Sequence, residues 1–119
     1  MKQLSRPFIL AAVVALILSG CSAQGGGVTG KWGSTDAGQP NLTVNSDGAF
    51  TGSDGCNSLT GKGTISGNTL TFGPFASTLK ACPGVDTWLN KAATASADGD
   101  VMMVKNSSGT KIGTLDRNG

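Results

Sequence analysis

Residues 41–51 read Asn41-Leu42-Thr43-Val44-Asn45-Ser46-Asp47-Gly48-Ala49-Phe50-Thr51. Leu42 and Val44 alternate with polar neighbours, so one face of an extended segment is apolar. Asn45-Ser46-Asp47-Gly48 then supplies the residues that a hairpin turn needs, because Asp-Gly reaches positive φ at little steric cost. Phe50 continues on the return strand. A strand, a tight turn and a second strand within eleven residues predict an antiparallel hairpin.

The same grammar recurs outward in both directions. Trp32 sits in a first strand before the hairpin. Leu59, Gly61, Gly63 and Ile65 fall on one face of the segment after it. Ser66-Gly67-Asn68 turns the chain into Leu70 and Phe72. Asp98-Gly99-Asp100 turns into Val101-Met102-Met103-Val104, and Asn106-Ser107-Ser108-Gly109 turns into Thr110–Leu115. Regular turn spacing predicts an all-β barrel or sandwich. One stretch breaks the pattern: Val85, Trp88, Leu89 and Ala92 are spaced i, i+3, i+4, i+7, which predicts one helix over Asp86–Ala95 with Asp86 as cap or first-turn acid. The expected core is Trp32, Leu42, Val44, Phe50, Leu59, Ile65, Leu70, Phe72, Phe75, Leu79, Trp88, Leu89, Val101, Met103, Ile112 and Leu115, with one of Met102 and Met103 facing inward.

The N-terminus carries a different signal. Lys2 and Arg6 precede an uncharged apolar run from Phe8 to Leu18, too short for a span of about 20 residues. Leu18-Ser19-Gly20-Cys21 closes it with small residues before a cysteine. Residues 1–20 therefore read as a lipoprotein signal peptide, Cys21 as the lipidation site, and residues 21–27 as a glycine-rich flexible tether. An ordinary signal peptide with a chance cysteine is the competing reading. A diacylglyceryl group and further acylation such as palmitate would anchor the chain, since each buried methylene contributes about 0.8 kcal/mol. The expected location is the cell membrane, lipid-anchored and facing outside the cytoplasm.

The formal charge of +2 comes from Lys2 and Arg6, and residues 21–119 are neutral. No basic surplus draws the chain to nucleic acid. There is no His, Glu or Tyr, which excludes a Ser-His-Asp triad, a Cys-His pair and a His-ligated zinc site. No cofactor or metal is expected; Asp98-Gly99-Asp100 lacks the spacing of a calcium loop and reads as a turn. Cys56 and Cys82 remain. In an exported domain they are expected to pair, with two free thiols as the alternative. The loop such a bond closes corresponds to roughly 3–4 kcal/mol in the chain-entropy model.

Gly30-Lys31-Trp32, Gly52-Ser53-Asp54-Gly55-Cys56-Asn57 with Leu59-Thr60-Gly61, and Leu70-Thr71-Phe72-Gly73-Pro74-Phe75-Ala76-Ser77-Thr78 leading to Ala81-Cys82-Pro83 occur in this order. Together they resemble the META domain of heat-inducible bacterial lipoproteins, from about Gly30 to Leu115; the domain is set at residues 28–117. The resemblance implies a mainly β fold, a small antiparallel β-barrel-like structure with one short helix. It also implies roles in envelope stress, motility or drug tolerance, with no catalytic residues to transfer. The family's helix commonly carries a Glu; here Asp86 is its only acid.

The functional expectation is a membrane-anchored, non-enzymatic accessory or binding protein of the envelope. Its candidate surface is Asp54, Asn57, Ser58, Phe75 and Thr78, where a disulfide would stiffen two loops. Gly55-Cys56-Asn57 can equally be purely structural, setting a tight turn. Expected partners are the membrane through the lipid, and an envelope protein or a small apolar ligand held beside Gly61 and Gly63. The alternative function is a protease inhibitor or other protein-binding module acting through the loops around Cys56 and Cys82.

Overall fold

The computed structural model describes residues 27–118. The signal peptide, Cys21 and the tether up to residue 26 lie outside the described residues. Ten strands follow one another: β1 (Gly30–Gly33), β2 (Asn41–Val44), β3 (Ala49–Ser53), β4 (Ser58–Lys62), β5 (Thr64–Ser66), β6 (Thr69–Thr71), β7 (Phe75–Ser77), β8 (Thr94–Asp98), β9 (Val101–Lys105) and β10 (Lys111–Asp116). They form two five-stranded antiparallel sheets, ordered β1-β2-β3-β4-β7 and β10-β9-β8-β6-β5.

The mainly β expectation holds, but the sheets do not close into a barrel. One isolated bridge, Trp32 to Arg117, links the β1 edge to the β10 edge. On the other side the chain turns a corner from β4 through Gly63 into β5, and the pair stays open as a sandwich. Side chains from the inner faces of both sheets make one core, with Trp32, Leu42, Phe50, Leu59, Leu70 and Met102 fully buried.

The four hairpin turns read from the sequence are all present. In the first, Asn45 N–H donates to Ala49 O at 2.8 Å and Gly48 N–H to Asn45 O at 2.9 Å, with Gly48 at φ 91°. That φ is where a Cβ is disfavoured, which explains the glycine.

The expected helix over Asp86–Ala95 is reduced to a single 3-10 turn, Trp88–Lys91. Thr87 precedes it without a side-chain cap. The cause lies downstream, where Ala93 N–H donates to Lys105 O and Phe72 N–H to Ala93 O. Thr94–Asp98 then pairs with β6 on one side and β9 on the other. Two ladders of backbone hydrogen bonds claim the residues a helix would have used. The apolar spacing survives in another form: Leu89 and Ala92 are buried, and the Trp88 ring lies against Gly113 of β10, where a Cβ would fall 2.5 Å from Cη2.

Three residues expected in the core are on the surface: Leu79, Val101 and Met103. In β9 the register decides. Met102 stands opposite Ala97 and Leu115, and Val104 opposite Ala95, all facing the interior. Val101 and Met103 therefore point outward, since successive side chains in a strand alternate faces. Val28, Ala92, Ala95 and Ala97 complete the interior instead.

Candidate functional site

Cys56 and Cys82 form a disulfide, with Cα atoms 5.9 Å apart. It ties the β3–β4 turn to the segment that follows β7. Around it lie the two buried polar side chains of the core, Asp54 and Asn57. Asp54 is wholly inaccessible. Its Oδ1 accepts the backbone N–H of Cys56 at 2.9 Å and of Asn57 at 2.7 Å, and its Oδ2 accepts from Asn90 Nδ2 at 3.1 Å. The carboxylate thus organises the turn and, through Asn90, holds the 3-10 turn against it. A buried carboxylate needs such donors, because an unpaired one is strongly disfavoured.

Asn57 braces the other side. Its Oδ1 accepts the Lys80 N–H at 2.6 Å and the Thr78 hydroxyl at 2.9 Å, while its Nδ2 donates to Lys80 O at 3.3 Å. Thr78 is held twice more: its Oγ1 accepts the Ser58 N–H at 3.1 Å and its own N–H donates to Ser58 O at 3.2 Å. Gly55 presses on Gly38 of the β1–β2 loop, where a Cβ would lie 2.8 Å from the Gly38 carbonyl. Three loops therefore meet at one end of the molecule.

The five candidate residues divide. Ser58 and Thr78 are exposed on this end. Asn57 is 7% exposed and Asp54 not at all, so they lie under the surface and shape it. Phe75 packs inward in an aromatic trio, its ring centroid 5.7 Å from Phe50 and 6.0 Å from Phe72. The room expected beside Gly61 and Gly63 is occupied: a Cβ at Gly61 would fall 2.5 Å from Phe75 Cβ, and one at Gly63 would fall 2.3 Å from the Thr71 carbonyl. Those glycines permit the close approach of Phe75 and of the Thr71 backbone.

Three residues outside the expected site matter to it and to the chain's entry. Leu79, assigned to the core, is 96% exposed at the tip of the braced loop. Asn90 carries no local mark of its bond to Asp54, 36 residues away. Arg117 works at the opposite end. Its guanidinium lies 4.1 Å from the centre of the Trp32 ring and donates to the carbonyls of Gly27, Thr29 and Gly99. It also pairs with Asp100 at 3.2 Å. This clasp fastens the segment by which the chain enters the domain.

A shallow open cleft of about 240 Å³ lies at the β1–β10 seam, bounded by Gly33, Ser34, Gln39, Pro40 and Thr114–Asp116. Among the described residues no group of three or more His, Cys, Asp or Glu side chains converges as a metal site. Among the same residues no helix is long and apolar enough to cross a membrane.

An open pair of antiparallel sheets with a disulfide-braced loop platform at one end defines the class: a small β-sandwich-like module. The META-domain family model matches residues 22–118, and the chain belongs to that family. Comparisons with curated proteins and with solved structures return no significant match.

Proposed function

We propose that this protein is a non-enzymatic envelope lipoprotein, anchored through acyl chains on Cys21 and presenting the disulfide end of its META domain to a protein partner. The observation that carries the reading is the opposition of the two ends. β1 starts at Gly30, beside the Arg117 clasp and opposite Val44, and runs to Gly33, opposite Asn41. Asn41 pairs with Ser53, and Ser53 with Ser58, at the edge of the disulfide loops. A chain tethered at residues 21–27 therefore enters at one end and carries the loop platform at the other. Lipid at the near end turns the platform away from the membrane, where a partner can reach it.

The anchor is tested by Cys21→Ser. The variant is expected to leave the membrane fraction for the soluble one; persistence with membranes contradicts the lipid anchor. The presented surface is tested by a photoreactive residue at Ser58 in native cells. One dominant protein adduct is expected, and lipid adducts or none contradict the reading.

A further inference from the structure

We infer that Leu79 is the specificity residue of a substrate-like loop that inhibits serine proteases with an apolar S1 pocket. The inference rests on the reading above, that the disulfide end is the presented surface.

The observations concern one tripeptide. Leu79 is 96% exposed, the extreme among the large apolar side chains of the described residues. The folded chain leaves the apolar area of this leucine unburied, so it is available to a partner's pocket. Its neighbours on both sides are fixed. Thr78 is bound to Ser58 and Asn57, and Lys80 is bound to Asn57 through both its N–H and its carbonyl. The disulfide at Cys82 fixes the chain two residues further on. Among the described residues the N–H and C=O of Leu79 itself have no hydrogen-bond partner. One residue thus offers an apolar side chain, a free donor and a free acceptor from a rigid frame. A serine protease engages these three features at the residue before the scissile bond, the carbonyl entering its oxyanion hole and the side chain its S1 pocket. Rigidity before binding lowers the ordering cost that makes ordinary peptides weak ligands.

The same frame explains inhibition rather than digestion. The protease serine hydroxyl adds to the Leu79 carbonyl carbon. The Leu79–Lys80 C–N bond breaks, and the Lys80 amine leaves with the proton passed on by the protease histidine. In a free peptide that amine diffuses away and water hydrolyses the acyl ester. Here the Lys80 nitrogen stays 2.6 Å from Asn57 Oδ1, its carbonyl stays on Asn57 Nδ2, and Cys82 stays bonded to Cys56. The Leu79 side is held by Thr78 on Ser58. The amine remains in attacking position, returns its proton to the histidine and reseals the bond, faster than water enters.

The test titrates purified full-length lipoprotein in detergent micelles against subtilisin and chymotrypsin, both with apolar S1 pockets, and trypsin, whose pocket holds a carboxylate. The activity of subtilisin or chymotrypsin is expected to fall to an equivalence point at one to one, while trypsin is unaffected. Leu79→Asp is expected to weaken inhibition at least a hundredfold, and Leu79→Lys to transfer it to trypsin. Both variants change a solvent-exposed side chain, and an unchanged denaturation midpoint shows that the fold is intact. Full activity of both apolar-pocket enzymes at equimolar lipoprotein overturns the inference, as does cleavage at Leu79–Lys80 without inhibition. A protein adduct from Ser58 without inhibition leaves the binding reading standing and removes only the inhibitor; failure of both removes both.

Discussion

The two ends of the domain solve the same problem by different chemistry. Each must hold together segments far apart in the chain. At the loop end the ties are a covalent bond and two buried polar side chains, Asp54 and Asn57, whose partners are all within the protein. At the entry end Val28 is buried and its carbonyl accepts from Trp32 Nε1 at 2.9 Å, and one guanidinium adds a clasp spread over a ring, three carbonyls and the exposed carboxylate of Asp100. A buried network in low dielectric is rigid and costly to disturb. A clasp at the water boundary is weaker, because ions and water compete for it. The lesson is that the fold reserves its covalent bond and buried polar network for the end that exposes a loop, and seats the entry segment with one buried apolar side chain and a clasp at the water boundary.

Breaking the disulfide is expected to have the largest effect. Cys56→Ala with Cys82→Ala should cost roughly 3–4 kcal/mol of unfolding free energy, read from denaturant midpoints. An effect below 1 kcal/mol would mean that the polar network alone holds the loops. Asp54→Ala comes next: it leaves two backbone N–H groups and Asn90 Nδ2 without their acceptor, at about 3 kcal/mol. Arg117→Ala should cost about 1–2 kcal/mol, the worth of a partly buried cation–π contact with its carbonyl bonds. Its cost should shrink in high salt, whereas that of Asp54→Ala should not. Leu79→Asp should change stability by no more than about 0.5 kcal/mol. A larger loss would show that Leu79 packs against something in the folded chain.

The hairpins were legible because their turn residues act locally: Asp47-Gly48, Gly67-Asn68, Asp98-Gly99 and Ser108-Gly109 each set backbone geometry without help from distant residues. The face of β9 was not legible. Val101-Met102-Met103-Val104 is apolar on both faces, so only its register with Ala95, Ala97 and Leu115 chooses which pair goes inside. The helix was misread because Trp88, Leu89 and Ala92 keep helical spacing, while β8 begins with small residues whose alternation carries little apolar contrast. At the candidate site, the pairing of Cys56 with Cys82 and the importance of Asn57 were within reach. The burial of Asp54 was not, since its side-chain partner Asn90 lies 36 residues away in the chain. Nor was the exposure of Leu79: a leucine three residues before a cysteine reads as core until the braces around it are seen. Arg117 gave no signal at all, because a lone arginine near the end of a chain is ordinarily a solvated charge.

Amide hydrogen exchange across residues 77–82, resolved residue by residue in the oxidised full-length protein, tests most directly that a rigid frame presents a single free residue. Thr78 and Lys80 are expected to exchange slowly, since their N–H groups are bonded to Ser58 O and Asn57 Oδ1. Leu79 between them is expected to exchange near the rate of an unstructured peptide. Uniformly fast exchange of all three would contradict the frame, and protection of Leu79 would contradict its freedom to bind a partner.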